Sequence, residues 1–140
     1  MREIFKIVPI GLYFIVGAIS LIMAFKSLLS KKFIPFHEAA AGKPWDQVDR
    51  PLQFVIIALM RVSGLGFLVV ALLLMVFPTV NYFKPDPFVR FAIPSITFLY
   101  CAGLFLANYY LYKQSKTSTP WKGALLAMVI IIIGIAISSL

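Results

Sequence analysis

The chain is short of acids. Five Asp and Glu residues face thirteen Lys and Arg in 140 residues, for a formal net charge of +8. It has one cysteine, Cys101, and one histidine, His37. A lone cysteine closes no internal disulfide, and one Cys with one His gives no zinc-type ligand spacing. No metal site and no cofactor is expected. Charge of either sign is also scarce, at 13% of residues against about 25% in an ordinary soluble domain. No polar stretch is long enough to fold alone, and no Gly-rich phosphate loop, nucleophile elbow or haem-attachment pair occurs. These shortages argue against nucleotide-binding, disulfide-stapled and metalloenzyme classes.

What fills the chain is apolar. Hydrophobic residues make up 61%, against about 45–50% in soluble domains. They come in blocks of about 20, which at ~1.5 Å per residue match a hydrocarbon core of ~30 Å. The expected fold is an all-α membrane protein, one integral domain over 1–140. It is a four-transmembrane-helix bundle with spans at about 7–29, 52–77, 88–112 and 123–140 and a structured loop between helices 1 and 2. The first block is too long for a signal-peptide core and no small-x-small site follows it closely, so residue 1 onward is expected in the mature protein.

The basic residues flank these blocks, which points to membrane lipids as partners and not to nucleic acid. Lys26, Lys31, Lys32, Lys43, Arg50, Lys113, Lys116 and Lys122 gather at one end; Arg2, Lys6, Lys84 and Arg90 lie at the other. The excess favours a cytoplasmic first connection, while Arg2 and Lys6 beside the first span pull the opposite way.

Prolines and small residues punctuate the spans. Pro9 falls in the first turns of the first span, where a missing N–H costs least. Pro78 closes the second span and opens a turn-rich loop with Asn81, Pro85, Asp86 and Pro87. Pro94 frees a carbonyl near Arg90 and should bend the third span. Ser95, Thr97, Tyr100 and Asn108 give that span a polar wall, and Tyr109, Tyr110 and Tyr112 an aromatic belt. Gly11, Gly17 and Ser20, and later Gly134 and Ser138, are small edges for helix packing.

The connection over 30–51 carries the only histidine and three of the five acids: His37, Glu38, Asp46 and Asp49. A histidine beside carboxylates can act as a base, so these four are the catalytic candidates. Interfacial ion pairing is the simpler reading. The pattern is not H-E-x-x-H, because Ala41 occupies the second histidine's place. A helical turn closed by Gly42, then a turn at 44–47 with Trp45 as an interfacial anchor, makes this more than a hairpin.

Arg61 stands inside the second span, about nine residues or ~13 Å past its start. A charge in hydrocarbon costs at least ~2.5–3.5 kcal/mol on insertion scales. It either snorkels to the headgroups or faces a polar interior. Gln53 lies two turns earlier, about 80° round the helix. The expected ligand-binding set is Arg61, Gln53, Trp45, Arg50, Tyr100 and Asn108, with the connection as a lid over an anionic amphiphile or lipid headgroup. A small membrane enzyme using His37 and its neighbouring carboxylates is the first alternative. An oligomeric transporter or channel unit is the second. A homo-oligomer or a partner membrane protein is an expected associate in either setting.

At Ile34-Pro35-Phe36-His37, Trp45, Gln53 and Leu59-Met60-Arg61-Val62-Ser63-Gly64, the chain resembles small uncharacterised four-span bacterial inner-membrane proteins. The resemblance covers mainly residues 33–66 and the span pattern. It implies a multi-pass protein of the inner (cytoplasmic) membrane with a compact four-helix architecture, and it brings no activity. DoxX-like proteins share the architecture, without a motif that carries residues across.

Overall fold

A computed structural model describes residues 2–139, with side chains from residue 4 onward. The described residues form α-helices and no strand: α1 (Arg2–Leu29), α2 (Pro35–Ala41), α3 (Arg50–Phe83), α4 (Pro87–Ser115) and α5 (Trp121–Ser138), with a single 3-10 turn at Trp45–Gln47. All but α2 are long and apolar enough to cross a membrane. The four long helices close a ring. α1 packs on α3 and α5, and α4 packs on the same two, while α2 rests against α4. The links at 84–86 and 116–120 are short, so α3, α4 and α5 alternate in direction; Phe5 and Pro9 of α1 lie at the same end of the ring as Ile137 and Ser138 of α5, and the long connection lies at the other.

The helices outrun the spans read from the sequence. Pro78 does not end α3, which continues to Phe83 for 34 residues, or about 51 Å at ~1.5 Å per residue. A proline deletes only its own bond, here to the Leu74 carbonyl. In the same turn the Thr79 hydroxyl donates to the Met75 carbonyl at 2.8 Å. Asn81 therefore sits on a helix and not in a loop. Its side-chain oxygen accepts from the Asp86 N–H at 2.7 Å across the link at 84–86. Asp86 in turn caps α4, accepting from the N–H groups of Phe88 and Val89. Leu140, the last residue of the fourth expected span, lies outside the described residues.

One layer of side chains closes the middle of the ring. Tyr13 and Val16 from α1, Val70 and Leu74 from α3, Cys101 from α4 and Ile131 from α5 form it, and Leu74 and Ile131 are fully enclosed. Small residues set the helix spacing. A Cβ at Gly134 would stand 2.5 Å from Tyr13 Cε1, and one at Gly17 2.5 Å from Met75 Cγ. The outward faces carry Ile15, Ile22, Phe54, Val62, Leu99 and Leu106, all exposed. A surface this continuously apolar does not stay in water unpartnered.

Candidate functional site

The connection is folded back over its end of the ring and held by one amide. Gly42, at φ +67°, ends α2 in the left-handed region with its N–H on the Glu38 carbonyl. Beyond the 3-10 turn, Gln53 of α3 donates to the carbonyls of Trp45 and Val48, each at 3.0 Å. Val48 is buried, and Trp45 stands edge-on to Phe33 with centroids 4.9 Å apart. Gln53 and Trp45 thus shape the lid, and neither lines the cavity beneath it.

Under the connection lies a cavity of about 470 Å³. α1 contributes Met23 and Ser27, α2 contributes Phe36 and His37, α3 contributes Met60 and Ser63, and α4 contributes Asn108. Its described lining includes no Lys, Arg, Asp or Glu. His37 is half-buried, edge-on to Phe36 at 4.0 Å and to Phe33 at 6.2 Å. Its Nδ1 is buried and meets no hydrogen-bond partner among the described residues. Burial pushes the imidazole below its ordinary value of 6.5, toward the neutral form. Glu38, Asp46 and Asp49 are all exposed, so the catalytic candidates do not converge on the ring. Among the described residues no three His, Cys, Asp or Glu stand close enough to hold a metal.

Arg61 is outside this cavity, contrary to the expected pocket around it. Met60 is buried and faces inward; the next residue points about 100° away. Arg61 is accordingly exposed on the outer face of α3 and lines neither cavity. Arg50 is exposed in the first turn of the same helix. Tyr100 is a strut: its hydroxyl donates to the Ser63 carbonyl at 3.4 Å, and its ring lies on Gly66. The expected polar wall of α4 divides, since Ser95 is exposed while buried Thr97 bonds back to Ile93 and Pro94. Of the expected site residues, the structure brings only His37 and Asn108 to one cavity.

A second cavity, of about 680 Å³, opens at the end of the ring that holds the chain termini. It was not foreseen as a site. Lys6, Asn81 and Arg90 line it from three different helices. Tyr13 and Ser138 face it from the core side, and its described lining includes no carboxylate. Asp86, the nearest acid in sequence to Arg90, is engaged in capping α4. The Tyr13 side chain is 3% exposed and its hydroxyl lies beside Ser138, whose own hydroxyl is given to the Gly134 carbonyl. No hydrogen bond closes on the Tyr13 hydroxyl among the described residues. Asn81 offers the carbonyl oxygen of its amide to Asp86, which leaves its NH₂ as a donor.

Proline builds this cavity. Pro9, Pro78, Pro85 and Pro94 all line it, and three of them lie inside helices. Each helical proline deletes one backbone bond, to the carbonyls of Phe5, Leu74 and Arg90, and its ring presses on the preceding turn. The signal was present in the sequence as three prolines at the same end of three spans. Read one at a time, they looked like separate helix punctuation. Compared with known proteins, the chain matches no family model, no curated protein and no solved structure.

Proposed function

We propose that the chain crosses a membrane four times and holds the head of an anionic amphiphile, such as a phospholipid, in the cavity beside Arg90 and Asn81. The observation that carries this reading is a wide cavity lined by Arg90, whose nearest acid in sequence, Asp86, is engaged in capping α4, and by the donor NH₂ of Asn81. An anion brought there gains charge-assisted hydrogen bonds, each worth about 1.5–3 kcal/mol. Phe5, Ile10 and Val89 border the same space and suit the upper part of an acyl chain. The continuous apolar outer surface supports the membrane setting, and the resemblance of residues 33–66 supports a bacterial inner membrane. The ligand class is the one expected from the sequence; the cation that serves it is Arg90 and not Arg61.

Native mass spectrometry from a mild detergent, with phosphatidylglycerol added, tests this. The wild type is expected to retain the lipid. Arg90→Gln is expected to lose it at least tenfold, since one charge-assisted bond of about 1.5 kcal/mol or more is removed. Arg61→Gln is expected to retain it. Equal retention by all three proteins refutes the assignment.

A further inference from the structure

The cavity under the connection differs chemically from the one at the termini. Its described lining carries no formal charge, and its walls are aliphatic and aromatic. Two nitrogen-bearing side chains, His37 and Asn108, reach it from α2 and α4. We propose that this cavity is a separate binding site for a neutral lipid bearing a hydroxyl, with the hydroxyl held by the His37 imidazole and the chain lying along Met23, Leu59, Met60 and Leu104.

Five observations converge on that chemistry. At about 470 Å³ the space falls within the ~300–1,000 Å³ of ordinary small-molecule sites. An anion would find no Lys or Arg among the described lining residues, and a cation would find no carboxylate. Burial keeps the imidazole neutral near neutral pH, so it serves as a hydrogen-bonding group and not as a charge. Nothing in the described chain bonds Nδ1, so the ring is not fixed by an internal partner. A hydroxyl can both donate and accept, and it therefore serves either tautomer of a neutral imidazole. The Asn108 amide nitrogen donates to the Leu104 carbonyl at 2.8 Å, which leaves its oxygen as a second acceptor. A carboxylate would forfeit headgroup solvation with no opposing charge to offset it.

The lid explains how such a site stays closed. Phe33, Phe36, His37, Ala40 and Ala41 turn toward the cavity, while Glu38 and Ala39 face away. The Gln53 amide, the packing of Trp45 and Val48 and the contact of α2 with α4 hold this segment down.

The test is photolabelling in phosphatidylcholine nanodiscs with hexadecanol carrying a diazirine on its chain. Labels are expected in residues 33–41, 56–67 and 104–111. Unlabelled hexadecanol is expected to compete, and neither palmitate nor hexadecane to do so. His37→Ala is expected to reduce labelling about tenfold, the upper end for one hydrogen bond, and His37→Gln to retain most of it. Ala40→Phe keeps the histidine and fills the space, so it is expected to block labelling. Arg90→Gln is expected to leave labelling unchanged. The proposal is overturned if palmitate competes as well as hexadecanol, if hexadecane does, if labels fall elsewhere, or if His37→Ala labels like the wild type.

Discussion

His37 is the chain's only imidazole, and its ring is half enclosed between two phenylalanines and the cavity. Enclosure disfavours the charged form, so the folded protein binds this proton less readily than the unfolded chain. The sign follows directly. Above pH 6.5 both states are neutral and the seating of the ring contributes in full. As pH falls below 6.5 the unfolded segment gains a proton first, and stability declines until the lowered folded value is passed. An NMR titration of histidine-labelled protein is expected to give a midpoint below 6.5; a midpoint at or above it removes the enclosure. Arg61 carries the opposite lesson about single residues. Its place along the helix was legible from sequence, because that is a count of residues. Its direction depends on which neighbours α4 and α1 press upon, and the adjacent Met60 won the inward place. Arg90 is a helix-end arginine of the kind that usually meets water or headgroups. Only the convergence of Lys6 and Asn81 from other helices distinguishes it.

The connection behaves as an element although it is built from short pieces. Its local shape was legible: Gly42 ends a helical turn and residues 44–47 turn again, as their glycine and proline dictate. Its clasp was not legible, because a glutamine two residues past Pro51 reads equally well as a pocket-lining amide. Gln53→Leu removes two hydrogen bonds to backbone carbonyls, about 1–2 kcal/mol after exchange with water. The opened connection is then expected to be roughly 5- to 30-fold more populated. Hydrogen exchange at the Gln47 and Val48 amides should quicken by that factor, with the amides of the four long helices unchanged. Unaltered exchange at 47–48 would place the closing energy in the aromatic contacts instead. α3 shows where pattern reading fails at this scale. Proline is a reliable stop signal in water, yet α3 runs five residues past Pro78, supported by Thr79 and by neighbours on both sides.

Across the whole molecule, the number of long helices and their all-α character followed from block length alone. Their pairing into a ring was not read from the sequence; it shows in the structure, where Gly17, Gly64 and Gly134 let neighbouring helices approach closely. What sequence left open was the distribution of empty space, since cavities are set by where packing fails and no residue type encodes that singly. The two cavities lie at opposite ends, and the enclosed layer of Tyr13, Val16, Val70, Leu74, Cys101 and Ile131 stands between them. That layer has a consequence of a different kind. Ions moving through the ring would have to cross a packed septum with no charged side chain among its described residues, which would make it an electrical barrier. Liposomes containing it are expected to hold an imposed proton gradient as long as protein-free liposomes, followed with a trapped pH dye. Faster collapse would mean that the septum parts. A closed septum would add no proton leak to a bilayer holding the protein.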